Sequence, residues 1–530
     1  MTGMLRVHTI GETRVTPAPK GIAAVVLNMI GRRRRFARGF VALSAAAGAL
    51  LVLAPQQAQA LPAFARQTGQ NCVACHAGGQ FPELTPYGRL FKMTGYTIGE
   101  RALPLSMMGL VTASKVSNTS KSDNPPADFQ KDGSLIFATG SVFVAGKITN
   151  NLGLFTQVTY DNYAGQSVAA DGAGAGKFQG HTNADNMDFR YADHFINTSR
   201  DLIYGISLNN NPSVSDPWNT APAWMQYVPV PSPTSSAFVD GNAPYPGYAA
   251  GGNIAGLTAY AYLNKAFYAE LGGYTTANGA FSFMSAGINN AGTTKLKGMN
   301  PYWRFAYTHE WGPHNIMIGT SGMNSDVYDN PEDTSDPSSV HRFNDRGIDA
   351  QYQYLLDPHT VTAQIAYMTE KHRYPDFLAN QPAPGGFVDA AGNPLPNTNA
   401  SDTTHTLRAK LTYTYQAKYG GSLGYFNLTG TTNTANQTSG YDPTTGLITS
   451  DPTGALGATA LSTRVGGNLS GNPATSGFTY EAFWIPVQYV RVGMQYTSYS
   501  KYNGASSNYD GLGRDAKDNN TVFFYIWGAY

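Results

Sequence analysis

The chain has 530 residues, with 35 Lys and Arg against 34 Asp and Glu for a net charge of +1, and charged residues make up only 13% of it. That balance implies neither nucleic acid nor an anionic membrane surface as an electrostatic partner, and a charged fraction this far below the usual ~25% is odd for a soluble enzyme. Gly (58) and Tyr (33) are abundant, whereas Cys occurs twice, at Cys72 and Cys75.

The first predicted element is an export leader. Arg32 to Arg35 and Arg38 form a charged n-region, Phe40 to Ala54 an apolar run, and Ala58-Gln59-Ala60 a small-x-small cleavage site, so residues 1–60 are read as an extension and signal peptide with a mature start at Leu61. The apolar run falls short of the ~20 residues of a spanning helix. Residues 1–28 precede the n-region, which makes Met29 an alternative start, and Arg33-Arg34-Arg35-Phe36 is only a faint twin-arginine match. The general secretory route is expected.

Next comes Cys72-Val73-Ala74-Cys75-His76. A structural zinc site needs two such pairs or added histidines, and no second cluster follows. A thioredoxin-like pair wants a βαβ context that the flanks lack. A disulfide across two residues is strained and leaves His76 unexplained. A c-type haem attachment site accounts for all three residues: the thiols of Cys72 and Cys75 tether one haem c and His76 is its proximal iron ligand. Thr85-Pro86 then reads as the N-cap and first position of a short helix, with Arg89 and Lys92 either solvated or partners of the haem propionates. Met93, Met107 and Met108 are the distal-ligand candidates, with His181 and His194 as further possibilities. Segment 61–103 is thus expected to be a monohaem cytochrome c unit, too small for a core of its own.

From residue 134 onward the chain alternates with period two. Trp303 to Thr308, Ile348 to Tyr354 and Leu407 to Tyr415 each show an apolar, aromatic face and a polar face carrying charges such as Asp349 and Arg408. Tight turns are predicted near Asn150-Asn151, Ser199-Arg200, Asn264-Lys265, Gly312-Pro313, Asp357-Pro358, Ala417-Lys418 and Ile485-Pro486, with long polar stretches between hairpins at 161–187, 210–252, 371–404 and 431–476. Seven hairpins, a first strand over Leu105 to Ser114 and a last over Thr521 to Tyr530 make sixteen strands. The fold class is therefore all-β: a sixteen-stranded transmembrane outer-membrane β-barrel over 104–530, with both termini periplasmic and the haem segment plugging its lumen. A soluble sandwich is disfavoured because its outer face needs more charge. Lumen residues Asp188, Arg190, Asp349 and Arg408 either guide a cation or merely solvate the channel, and polar lining is the expectation because any porin shows it. The acidic run Asp326, Asp329, Glu332, Asp333 and Asp336 could gather a hard cation, but it lacks the spacing of a calcium loop and a His-rich cage, so a solvated loop is the expectation.

The flanks of the haem motif, Phe64-Ala65-Arg66-Gln67-Thr68-Gly69 before it and Phe81 to Tyr96 after it, resemble the fused cytochrome-porin family of outer-membrane iron oxidases, and Asn209 to Trp224 is similar to the same family. The resemblance implies an outer-membrane electron conduit, an iron:cytochrome c oxidoreductase. It would oxidise extracellular Fe(II) at a lumen-housed haem and pass electrons to a periplasmic c-type cytochrome or other soluble acceptor. Outer-membrane lipid is the expected surroundings. The alternatives are a diffusion porin with a structural or sensory haem plug, and a conduit running outward.

Overall fold

The structure, a computed structural model, describes residues 62–79, 83–118, 135–166, 178–218, 253–285, 295–375, 399–432, 441–442, 447–448, 472–509 and 514–530. The expected leader, with its arginines and the Ala58-Gln59-Ala60 site, lies outside these residues, as do the greater parts of three of the long polar stretches. The strands intrude on the other: β3 and β4 frame 167–177 only.

The strands are β1 (Leu105–Val116), β2 (Leu135–Lys147), β3 (Leu152–Gln166), β4 (Phe178–Ile196), β5 (Asp201–Asn209), β6 (Ile254–Leu263), β7 (Phe267–Thr276) and β8 (Asn300–Trp311). They continue with β9 (His314–Tyr328), β10 (Val340–Leu356), β11 (His359–Arg373), β12 (Ser401–Tyr415), β13 (Tyr419–Gly430), β14 (Thr475–Val487), β15 (Val490–Lys501) and β16 (Thr521–Ala529). Each pairs antiparallel with its neighbours in sequence, and β1 pairs β16 from Met108↔Ala529 to Val116↔Thr521, so the sixteen strands close into a barrel. Closure leaves no strand edge, which is the condition for a β-sheet to sit in lipid. A two-residue ribbon, Tyr441–Asp442 with Leu447–Ile448, lies apart from the barrel sheet.

Alternation sorts the two faces as the sequence pattern requires. Leu257, Leu271, Ile318 and Ile348 are exposed on the outside, whereas Thr258, Glu270, Arg304 and Gln353 are buried within. Toward the short turns the outer face becomes aromatic: Tyr419 pairs with Trp484, and Trp311 stacks on His309 and His314, as at a membrane interface. The tight turns include the left-handed pairs Asn264-Lys265 and Gln416-Ala417, whose twist matches that of the strands. One predicted turn is corrected. Ile485-Pro486 lies inside β14, and the chain reverses at Gln488-Tyr489 instead. Pro486 has no N–H to donate, and the ladder shifts register between Trp484 and Val487 at that point.

Four short helices lie with the barrel: α1 (Pro62–Thr68), α2 (Cys72–Cys75), α3 (Pro86–Met93) and α4 (Pro212–Ser215). The segment holding α1 to α3 is inside the barrel, because its partners are inward-facing. Ala63 N–H donates to Ser106 Oγ at 2.8 Å, Lys147 N–H to Gln67 Oε1 at 2.8 Å, and Tyr96 O–H to Asp188 Oδ2 at 2.6 Å. Where Gly95, in the left-handed region, meets β3, both backbones must be bare: a Cβ on Gly153 would lie 2.2 Å from Gly95 O.

Because Ile348 sits mid-strand on the outer face, Ile348→Lys is expected to destabilise the folded barrel in lipid by about 2–4 kcal/mol. A urea titration in phosphatidylcholine vesicles, with Gln364→Lys as the inward-facing comparison, measures it.

Candidate functional site

The site begins with how α2 is held. Asn71 precedes it, Cys72 and Cys75 fall one turn apart on one face, and His76 N–H closes the turn on Cys72 O at 2.8 Å. Helix α3 locks against it: Thr85 caps α3 by accepting from Gly88 N–H at 3.1 Å, while its own N–H donates to Cys75 O at 2.9 Å and its hydroxyl to Ala74 O. The expected cap and first-turn proline are both in place. Gly88 makes the contact possible, since a Cβ there would lie 2.1 Å from Cys75 O.

This unit sits at the short-turn mouth of the barrel. Cys72 Sγ reaches the carbonyl of Gln488, in the β14–β15 turn, at 3.4 Å. Gly78 packs on Thr414, Gly79 on Ala417 in the β12–β13 turn, and Lys410 Nζ meets Glu83 Oε1 at 2.8 Å. Burial pushes the Cys72 thiol up to about 12 and the Cys75 thiol up to about 11. A disulfide-exchanging pair needs the opposite shift. Burial lowers the His76 imidazole to about 4 against the pull of Glu83, and its buried Nδ1 has no hydrogen-bond partner. The ring is therefore neutral, as iron ligation requires. Two protonated thiols on one helical face followed by a neutral imidazole with a nitrogen to spare fit a c-type haem. Among the described residues no three His, Cys, Asp or Glu side chains group to hold a metal ion by themselves.

Arg89 and Lys92 are not on a solvated face; both are buried. Arg89 donates to Leu84 O at 2.7 Å, to Gln353 Oε1 at 3.1 Å and to Asn315 Oδ1 at 3.0 Å, and burial lowers its guanidinium to about 10. Lys92 Nζ donates to Asp216 O at 2.9 Å, and burial, then Arg190, lowers it to about 8. As propionate partners, Arg89 would have to leave Gln353 and Asn315 on the barrel and Lys92 the carbonyl of Asp216 beyond α4. The methionines separate clearly. Met107 points outward at 56% exposure and is corrected to a lipid-facing residue, whereas Met108 faces inward against the cluster of Leu110, Ile136, Phe523 and Trp527. Met93, at the far end of α3 from Cys75, packs with Trp218, Tyr260, Tyr268 and Met317. His194 pairs with Asp201 at 2.6 Å near a short turn, and His181 lies opposite Asp161 at the other end of its strand.

Strand periodicity alone does not announce the second inserted piece. After β5 the chain turns inward through α4, capped by Asn211, and brings Asp216 and Trp218 to the tip of α3. Arg190 donates to Asp188 at 2.6 Å and to Ser215 O, Ser215 Oγ meets Glu270 at 3.2 Å, and Arg304 lies between Asp216, at 3.5 Å, and Asp349. Asp188 and Arg190, expected as wet lining, are completely buried. The acidic run beyond β9 is divided among local partners: Asp329 meets His341 at 2.8 Å, and hydrogen bonds from Ser335 and Ser338 hold exposed Asp333 and Asp336 below the usual carboxylate range.

A closed antiparallel barrel with an apolar exterior and a polar, charge-bearing interior is an outer-membrane barrel of the porin class. No family model and no curated protein matches the chain. Among solved structures it is similar to OprB of Pseudomonas putida (12% identity, TM-score 0.44, 80% of this chain and 93% of that one). It is also similar to the outer-membrane channel DcaP of Acinetobacter baumannii (10%, 0.41, 80% and 96%) and to OmpF of Salmonella typhi (11%, 0.39, 80% and 97%). These neighbours are porins and channels by name, which corrects the expectation of an iron:cytochrome c oxidoreductase; at this level of identity the likeness extends to the barrel fold alone.

In folded protein lacking haem, iodoacetamide should label Cys72 and Cys75 at pH 8 on the order of 100-fold more slowly than in urea, because the buried thiols stay protonated. The rate should climb as pH approaches 11. Gly88→Ala, which drives α3 off α2, should raise the pH 8 rate; mass spectrometry of the labelled peptide measures all three.

Proposed function

We propose that the chain is a porin-class outer-membrane barrel whose lumen is narrowed from the short-turn, periplasmic side by its own N-terminal segment, and that this segment carries one haem c. Cys72 and Cys75 hold the haem, and His76 ligates its iron. The observation that carries the reading is the position of α2: the only two cysteines of the chain are wedged at the barrel mouth, against Gln488, with His76 next to them. When bound, the haem supplies a one-electron Fe(III)/Fe(II) couple. The chain's residues do the rest. Thr85 and Gly88 clamp α2 to α3, Arg89 on α3 and Tyr96 just after it bind the segment to the wall, and Lys92 binds it to the stretch after α4. A segment of some forty residues is too small to hold itself together and usually needs a metal, a covalent link or a partner. Here the thioether links and the barrel wall fill that role, so the haem is a structural element of the plug and reports the redox state of the periplasm.

A second reading is favoured by the placement of Cys72 at the rim rather than deep in the lumen. A soluble periplasmic c-type cytochrome docking on the short turns would come close enough to exchange electrons with the haem.

Produced in a host competent for cytochrome maturation and extracted from the outer membrane in detergent, the protein should run as one band that keeps its haem stain after boiling in denaturant. Cys72→Ala with Cys75→Ala should lose the stain while the barrel still shows heat-modifiable migration. An unstained wild-type band overturns the proposal. For the second reading, the ferric haem in proteoliposomes should be reduced by a reduced soluble cytochrome added on the short-turn side, and no reduction from that side overturns it.

A further inference from the structure

The balanced charge of the whole chain conceals one uneven face. At the long-connection ends of β10 and β11, side chains alternate between a buried inner set (His341, Phe343, Asp345, Glu370 and His372) and an exposed outer set that carries Arg342, Arg346, Lys371 and Arg373. The register places the outer set in rows: Arg342 opposite Arg373, Asn344 opposite Lys371, and Arg346 opposite Thr369, with Ile348 and Tyr367 next along the strands. Four cations thus share a patch ~5 Å across and ~13 Å along the strands. The edge of the apolar band beside it is marked on β8. Trp303 pairs with Gly322 on β9, which pairs with Arg346. A Cβ on Gly322 would strike the Trp303 ring, so the bare glycine lets the indole lie across β9, and Arg346 Cζ stands 4.3 Å over it. Tryptophan near a strand end anchors at headgroup level, which puts Arg346 at that level and Arg342, Lys371 and Arg373 just beyond it.

Few acids match these cations. Asp345, Glu370 and Asp402, on the same strand ends, point inward and are buried. On the outer face, among the described residues, Asp326 approaches Arg342 at 4.0 Å, with the two side chains 40% and 60% exposed, a pair worth little in water. Glu332, Asp333 and Asp336 belong to the loop between β9 and β10, where Asp333 and Asp336 accept from Ser335 and Ser338. Like charges directly opposite on paired strands repel, and Arg342 with Arg373 is such a pair. An anion lying on this face relieves that repulsion.

We propose that this face binds the phosphorylated glycolipid of the outer leaflet, its phosphates on Arg342, Lys371 and Arg373 and its acyl chains along the apolar strip of Ile348, Ile365 and Tyr367. Guanidinium forks accept phosphate oxygens two at a time. Arg346, held by Asn324 Oδ1 at 3.2 Å and by the Trp303 ring, forms the inner edge of the headgroup site. A zwitterionic phospholipid brings one phosphate offset by its own ammonium and leaves most of the patch unmatched. Inorganic phosphate has no chains for the apolar strip. The assignment rests on the outer-membrane reading of the barrel, with its long connections toward the exterior, and is independent of the haem and of the plug.

Native mass spectrometry of the detergent-folded full chain, freed of divalent cations, tests it with diphosphoryl lipid A, dephosphorylated lipid A, phosphatidylglycerol and inorganic phosphate as probes. Diphosphoryl lipid A should bind at least tenfold tighter than either other lipid, and millimolar inorganic phosphate should not displace it. Arg342→Gln combined with Arg373→Gln should weaken it at least tenfold. Lys115→Gln, at an exposed position on the distant β1, should leave it unchanged, and heat-modifiable migration shows that each variant is folded. Arg373→Gln alone should raise the unfolding temperature of the lipid-free barrel and shrink the further rise that diphosphoryl lipid A gives, a reversal that a merely structural arginine would not produce. Equal binding of the dephosphorylated lipid or of phosphatidylglycerol, displacement by inorganic phosphate, or unchanged binding in the folded double variant would overturn the proposal.

Discussion

Every backbone amide that faces lipid must find a partner within the protein, and the ring of pairings from β1 round to β16 meets that requirement for the whole wall at once. The rest of the molecule depends on that closure. With lipid taking the apolar side chains, the polar ones turn inward, and a sixteen-stranded wall encloses more space than its own side chains fill. The lumen is therefore where this chain has freedom to place chemistry. It fills part of that space with two pieces of itself, α1 to α3 from the short-turn side and α4 from the opposite side.

The two pieces meet at the tip of α3. Lys92 donates to the backbone of Asp216, Tyr260 donates to Met93 O at 2.7 Å, and Trp218 packs edge-on to Tyr268 in the same cluster as Met93. Ion pairs this deeply buried are costly to form and costly to break singly. The structure surrounds its buried carboxylates with donors: Asp188 takes Arg190, Tyr96 and Ser207, and Glu270 takes the hydroxyls of Thr258, Tyr268 and Ser215. Such a network favours one seating of the plug over its alternatives. It also couples the Cys72–His76 end of the lumen to the α4 end, since α3 touches both.

Strand number, register sense and nearly all turns were legible in the sequence, because lipid outside and polar lumen inside impose a strict period of two, and a single slip would reverse the faces. Pro486 misled because proline signals both turns and strand irregularities. The Cys72 to His76 stretch stood out because cysteine is otherwise absent, and the Thr85-Pro86 cap was legible because capping is local. What could not be read was tertiary. The outward direction of Met107 follows from its phase relative to Leu105, one residue from the inward Met108. The burial of Arg89 depends on Gln353 and Asn315, more than two hundred residues away. Asn211-Pro212 announces a helix start but not that the helix enters a lumen. Resemblance to an oxidase family supplied an activity that the barrel does not bear out, whereas a closed barrel with a polar interior is the fold of a channel.

Single-channel conductance in planar bilayers tests most directly whether the N-terminal segment lodges in the lumen. The full chain should conduct several-fold less than a variant from which residues 62–100 are excised, whose current should approach that of an open barrel of this strand number. Equal conductance of the two would mean that the segment lies outside the ion path, and would contradict the account.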